Sequence, residues 1–140
     1  MTQIFFYHGA SDKIAAAGAL IAGAYAKGKK LLVYAPEEQI ADLVDRHLWT
    51  ASQLSFVPHC RDDSPLAEET PIIITRQLAQ PSQLERLMNL GQDIPPGFDR
   101  FDNVVEVVGQ SDDDRTAARQ RVGHYKANGH EVRYFDLSQH

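Results

Sequence analysis

Short apolar segments alternate with longer helical segments along this chain, and this alternation restricts its fold more than any other feature. Strands are predicted over residues 3–8 (QIFFYH), 30–35 (KLLVYA), 54–57 (LSFV), 71–75 (PIIIT), 103–108 (NVVEVV) and 131–135 (EVRYF), and helices over 11–28, 36–49 and 111–128. The segment 84–91 (LERLMNLG) fits either a strand or a short helix, and we favour a strand. Strands that alternate with helices predict an α/β fold: one three-layer domain with a mostly parallel, Rossmann-like sheet and right-handed crossovers.

The length and composition are those of one ordinary globular domain. The 140 residues suffice to bury a core, and the single Cys60 excludes a disulfide within the chain. The N-terminal MTQIFFYHG lacks a basic leader, and the least polar run, residues 14–26, is too short to span a bilayer. We therefore expect a cytoplasmic protein. Its formal net charge of -5 argues against a surface that binds polyanions broadly, although a local basic patch remains possible.

A nucleotide site is not predicted, although residues 23–30 (GAYAKGKK) approach the phosphate-loop pattern. Lys30 stands where that pattern needs a hydroxyl residue, and the segment ends a helix instead of following a strand. A glycine that ends the helix, followed by lysines at the negative end of its dipole, explains the segment better.

No metal site or other cofactor is predicted either. The run Asp112-Asp113-Asp114 follows Ser111 at a helix start, where carboxylates favourably face the dipole. The six histidines are scattered and show none of the usual metal-binding spacings.

Cys60 follows His59 directly and offers one enzymatic alternative, a thiol nucleophile with an imidazole base. Adjacent side chains in extended backbone point to opposite faces, which disfavours this pairing. We keep as the alternative function a small α/β enzyme that uses Cys60 with His59, or a nucleotide at the sheet edge.

The last predicted helix carries a basic stripe. At about 100° per residue, one narrow face collects Arg115, Arg119, Val122 and Lys126, with Ala118 and Tyr125 along one border and Gly123 on the other. Two interpretations remain open. The stripe is either a solvated face on which Asp112 neutralises Arg115 or Arg119, or a groove in which the guanidinium groups bind an acidic peptide with an apolar tip.

The ordered segments of the chain resemble one known family. They are IFFYH, GKKLLVYA, a helix ending in HLW, SFVPH, PIIIT, LMNLG with PPGF, FDNVVEVV and DDDRTAARQRVGHYKANGHEV. Together they resemble the chi subunit of the bacterial DNA polymerase III holoenzyme over nearly the whole chain, 1–140. The resemblance implies a sheet like that of nucleotide-binding proteins, but without a bound nucleotide and without catalytic activity. It also implies a heterodimer with the psi subunit, which links the protein to the clamp loader. The second implied partner is the acidic C-terminal tail of single-stranded DNA-binding protein.

The resemblance also implies two binding sites on this chain. Val108, Arg115 and Arg119 match the family's tail pocket and coincide with the basic stripe; Arg121, Val122, Tyr125 and Lys126 complete the predicted site. Val122 and Gly123 replace an aromatic-lysine pair of better-known relatives, a change for which Arg121 or Lys126 would compensate. Trp49 and Phe56 match the psi-binding surface, to which we add Val57, Pro58 and His59. DNA is expected to be contacted only indirectly, since the sequence shows no basic groove interleaved with aromatic residues.

Overall fold

The computed structural model describes residues 2–50, 58–62, 64, 70–79, 81 and 83–138. Within them lie seven strands and three α-helices. The strands are β1 (Gln3–Ala10), β2 (Leu31–Tyr34), β3 (His59–Arg61), β4 (Ile72–Thr75), β5 (Arg86–Asn89), β6 (Asn103–Gly109) and β7 (Val132–Asp136). The helices are α1 (Lys13–Ala26), α2 (Glu38–Thr50) and α3 (Asp112–Ala127), and a short 3-10 turn covers Phe98–Arg100.

The seven strands form one sheet in the order β3-β4-β2-β5-β6-β1-β7, and every strand pair is parallel. The predicted α/β fold with a parallel sheet is therefore confirmed. The segment 84–91 contains β5, so the preference for a strand there was right.

Alternation along the strands divides the core between the two faces of the sheet. In β1, Phe5 and Tyr7 pack on the side of α1 and α2, whereas Ile4 and Phe6 pack on the side of α3. Side chains at successive strand positions point to opposite faces, so a strand buried on both sides is apolar throughout. The three-layer arrangement follows directly.

The helix starts agree with the sequence in one case and correct it in another. Ser111 caps α3 as expected, and its hydroxyl accepts a hydrogen bond from the Asp114 N–H. Asp12, and not Ser11, caps α1: its backbone is extended and its Oδ1 accepts from the Ala15 N–H at 3.1 Å. Both residue types suit this position, so sequence preference did not separate them.

The strand predicted over residues 54–57 lies outside the described part of the chain. A strand that was not predicted, β3, occupies His59–Arg61, where the sequence predicted that a polar loop begins at Cys60. β3 has three residues, and among the described strands it pairs with β4 alone. Such a short edge strand has no hydrophobic period to reveal it.

A carboxylate occupies the crevice between the carboxyl ends of β1 and β6, where doubly wound sheets bind nucleotides. Asp114 accepts hydrogen bonds from the Gly109 N–H, from Lys13 Nζ at 2.9 Å and from Gln92 Nε2 at 3.1 Å. Burial alone would raise the pKa of Asp114, but these donors together outweigh burial and hold the pKa below its usual value. The Asp114 carboxylate therefore already accepts from the Gly109 N–H and from Lys13, which are the donors that a phosphate group would need at this place.

Candidate protein-binding sites

An open groove of about 400 Å³ lies between α3 and the sheet edge formed by β1 and β7. We call it the α3 groove. Its apolar side is lined by Phe6, Val108, Ala118, Val122 and Tyr134, and its polar side by His8, Arg115 and Arg119. Four predicted residues, Val108, Arg115, Arg119 and Val122, therefore come together in one cavity.

The apolar floor of the α3 groove is built by packing between the sheet and the helix. Phe6, Val108 and Ala118 are buried and form one small cluster, against which Val122 packs. A ligand in the groove would meet a fixed apolar surface.

The two arginines of the groove are available to a ligand. Arg115 and Arg119 are one helical turn apart on α3, so they project from the same face, and both are exposed. Asp112 forms no ion pair with either arginine, and neither pairs with another carboxylate of the described residues. The ion pair with Asp112 that one interpretation of the stripe invoked is thus not formed among the described residues.

Tyr134 forms the outer wall of the groove. Its ring contacts Phe6 edge-on, with 5.7 Å between the ring centroids, and Lys126 Nζ lies 5.4 Å from the Tyr134 ring centroid. Lys126 thus stands beside the groove, on the far side of Tyr134. The sequence analysis missed Phe6, His8 and Tyr134, because only the β1–β7 pairing brings them beside α3.

Arg121 and Tyr125 do not reach the α3 groove, which corrects their place in the predicted site. They are 2% and 0% exposed. Arg121 Nε donates to Glu106 Oε1 at 3.1 Å, and the Tyr125 hydroxyl donates to Glu106 Oε2. Two residues along a helix turn the side chain by about 200°, so Arg121 points to the interior while Arg119 points out.

The buried carboxyl of Glu106 holds α3 to the centre of the sheet. Besides Arg121 and Tyr125, the side-chain amide of Asn89 donates to it at 3.0 Å. Burial raises the pKa of Glu106, and Arg121, Tyr125 and Asn89 offset part of that rise. Burial and the neighbouring Glu106 also raise the pKa of Tyr125, which keeps the hydroxyl protonated as a donor. The arrangement is structural.

The second predicted site lies at the opposite end of the sheet, where α2 ends beside β3. Trp49 is 60% exposed, the largest exposed fraction among the big apolar side chains of the described residues. Its ring contacts the buried His59 edge-on, with 5.3 Å between centroids, and His59 Nε2 lies 2.9 Å from Asp45 Oδ1. Pro58 is half-buried next to it. Phe56 and Val57 lie outside the described residues.

His59 and Cys60 point to opposite faces of β3. His59 pairs with Asp45 on α2, whereas Cys60 packs against the cluster on the α3 side, which includes Leu32 and Ile73. The thiol and the imidazole are separated by the sheet. The structure therefore contradicts the catalytic pair of the enzymatic alternative.

No group of three or more His, Cys, Asp and Glu side chains with metal-binding geometry occurs in the described part of the chain. Within those same residues, none of the helices combines the length and the apolar character that crossing a membrane requires.

Comparison with known proteins gives two matches. The family model described as "DNA polymerase III chi subunit, HolC" matches residues 1–133. A Haemophilus influenzae protein named DNA polymerase III subunit chi is 31% identical over 114 residues, which cover 79% of this chain and 77% of that protein.

Proposed function

Because this chain belongs to the DNA polymerase III chi subunit family, we propose that it is a non-catalytic accessory subunit acting in DNA replication. In this role it joins the psi subunit, and through psi the clamp loader, to the acidic C-terminal tail of single-stranded DNA-binding protein. It acts in the cytoplasm, needs no cofactor and contacts the template through that partner.

The observation that carries this proposal is that two guanidinium groups without a carboxylate partner among the described residues lie above an apolar floor in the α3 groove. Arg115 and Arg119 offer planar donors that bind carboxylates in bidentate fashion. Val108 and Val122 lie beside them in the same cavity. A ligand that satisfies both parts must be acidic and end in an apolar group.

The tail expected for this partner family has that chemistry, with several Asp followed by a terminal Pro-Phe. Its carboxylates would meet Arg115 and Arg119, and its phenyl ring would lie on Val108 and Val122 against the Tyr134 ring. Aromatic pairs contribute about 0.5–1.5 kcal/mol beyond the area that they bury. The α3 groove, at about 400 Å³, has ample room for a Phe side chain.

Val122 and Gly123 leave the groove with less aromatic surface and one fewer cation than the relatives that carry an aromatic-lysine pair. Tyr134 supplies an aromatic wall from β7, and Lys126 supplies a cation beside it. These two residues are our candidates for the compensation. Arg121 is excluded because Glu106 holds it in the interior.

We assign psi binding to the corner where α2 meets β3. Trp49 offers a large exposed ring whose edge contact with His59 fixes its position. Rigid aromatic side chains of this kind often dominate the energy of a heterodimer. The family resemblance adds Phe56 to the proposed surface, and we include its sequence neighbours Val57, Pro58 and His59.

The tail site is tested by titrating the protein with a fluorescent peptide ending in Asp-Asp-Asp-Ile-Pro-Phe. Arg119→Ala should weaken binding by about 1–3 kcal/mol, roughly a 5- to 150-fold rise in Kd, because it removes a charged donor. The wild-type affinity should fall as salt is added, since the ion pairs are partly exposed.

Arg46→Ala is the matched control, because Arg46 is an exposed arginine on α2, outside the α3 groove. It should bind the peptide like the wild type. If Arg119→Ala and Arg46→Ala bind equally well, the assignment of the tail to this groove is wrong.

A further inference from the structure

A second groove, of about 360 Å³, lies on the opposite face of the sheet. We call it the α1 groove. One wall is the α1 segment that contains Ala19, Leu20 and Gly23, and the other wall is formed by the rings of Phe5 and Tyr7 on β1. Neither wall belongs to the tail site or to the α2 corner.

The α1 groove exists because α1 covers only part of its face. Among the described elements this helix packs mainly on β6 and β2, and its contacts with β1 and β7 are sparse. Phe135 of β7 stacks on Tyr7 there, with 4.7 Å between ring centroids, and is 40% exposed. On the helix side the space beside Gly23 is open, since a Cβ there would meet nothing within 4 Å.

The charges of the α1 groove are gathered at one end. Lys27 and Lys29 follow the end of α1, and Arg86 begins β5, so all three reach the groove where the strands start. None of the three forms an ion pair with a carboxylate in the described ranges. The floor between the walls is apolar, made of Leu31, Met88 and Val105. An apolar channel therefore opens onto three uncompensated cations.

We propose that the α1 groove is a second binding site for an acidic peptide with an apolar tip. The choice of peptide rests on the proposed function of the α3 groove, whose combination of aromatic wall, apolar floor and unpaired cations recurs here. Carboxylates would lie near Lys27, Lys29 and Arg86, and an apolar side chain would enter the channel beside Tyr7.

Charge placement favours a peptide over single-stranded nucleic acid. A bound strand carries one phosphate per nucleotide and needs cations along its whole path, with exposed rings for its bases. In the α1 groove the three lining cations lie at one end, whereas the lining between the two walls is apolar. The sequence had predicted no groove combining basic and aromatic residues, and the structure forms one from α1, β1 and β5.

Two peptide sites on one chain would matter for a partner with several tails. Edge strand β7 serves both grooves: Tyr134 lines the α3 groove on one face, and Phe135 stacks on Tyr7 of the α1 groove on the other. Engagement of two tails by one subunit makes the second binding event intramolecular, so the combined affinity exceeds that of either site.

The experiment uses nuclear magnetic resonance titration of the full chain with the same acidic peptide. In an Arg115→Ala/Arg119→Ala variant the α3 groove is disabled, and we expect concentration-dependent shifts that remain for the amides of Gly23 and Lys29. Adding Lys27→Glu and Lys29→Glu should weaken that remaining binding by about tenfold, since both substitutions reverse exposed charges.

Lys30→Glu is the matched control, because Lys30 is exposed next to Lys29 but does not line the groove. It should leave the remaining binding nearly unchanged. Absence of shifts in the α1 groove up to millimolar peptide, or an equal loss with Lys30→Glu, would overturn the proposal. So would a thymidine oligonucleotide that binds there while the peptide does not. If instead the proposed function of the α3 groove is wrong, the Arg119→Ala variant will bind the acidic peptide with the same affinity as the wild type.

Discussion

At the scale of single residues, environment decides what each arginine of α3 does. Arg115 and Arg119 are exposed and without a carboxylate partner among the described residues, whereas Arg121 is buried against Glu106. A buried charge is tolerated only when it is paired and hydrogen-bonded. The same residue type therefore binds a ligand at two positions, in our proposal, and holds the helix to the sheet at the third.

Asp114 makes a residue-scale prediction about acid stability. Its folded-state pKa is lowered from the unfolded value of about 3.9, so it contributes stability above that value and loses it as pH falls through the folded pKa. Asp114→Asn should lower the free energy of unfolding by about 1–3 kcal/mol near neutral pH, because the Lys13 pair and the charged acceptor are lost. The difference from wild type should vanish in strong acid.

Urea denaturation measured from pH 7 down to pH 2 tests this prediction. Asp113→Asn is the control: Asp113 is exposed next to Asp114, and no described side chain forms an ion pair with it. A pH-independent difference for Asp114→Asn, or an equal effect of Asp113→Asn, would show that the carboxylate does not act through its charge.

At the scale of secondary structure, two helical glycines have opposite roles. Gly18 lies where α1 crosses α2, and a Cβ at Gly18 would overlap the His47 ring. Gly123 lies in α3 on the exposed side, and a Cβ there would meet nothing within 4 Å. A side chain at Gly18 would therefore displace the His47 ring from its place between the helices, whereas at Gly123 glycine only weakens the helix.

The two glycines predict stability changes of opposite sign. Gly123→Ala should raise the free energy of unfolding by about 0.5–1 kcal/mol, because alanine loses less backbone entropy in a helix. Gly18→Ala should lower it by about 1–3 kcal/mol, because the packed His47 ring must move. Thermal and urea unfolding of both variants measure this, and equal signs would contradict the packing described for α1 and α2.

At the scale of the whole molecule, the order of the sheet separates the two proposed partner sites. Trp49 lies beside β3 at one end, whereas the α3 groove lies between α3, β1 and β7 at the other. Five strand spacings of about 4.8 Å place them roughly 25 Å apart. Neither site contains a residue of the other, so both can be occupied at once.

This separation predicts independent binding. Trp49→Ala should weaken the complex with psi by at least about 2 kcal/mol, as loss of a central aromatic contact does, and leave the affinity for the acidic peptide unchanged. Phe56→Ala should act in the same direction. Titration of peptide into the protein alone and into the psi complex measures the coupling; a loss of both activities in one variant would indicate that folding, and not recognition, was damaged.

Much of the architecture was predictable from sequence, because apolar periodicity reports directly which backbone conformation buries a segment. The long strands β1 and β6 and the helix α3 lie where the pattern placed them. β3 was not predicted, because a strand of three residues is too short to show an apolar period. Helical spacing placed Arg115, Arg119 and Val122 on one face, and all three line the α3 groove, but spacing did not show that Arg121 turns inward to Glu106.

The sequence by itself determined the α/β class, the basic stripe on the last helix and the family, since each depends on residue type and local spacing. Only the tertiary structure decided which residues share a surface. Strand order places Tyr134 and Phe6 beside α3 and Trp49 at the opposite end of the sheet. It also leaves β1 and β7 with only sparse contacts to α1 among the described residues. Contacts between residues distant in sequence arise from packing of whole elements, and no local pattern encodes them.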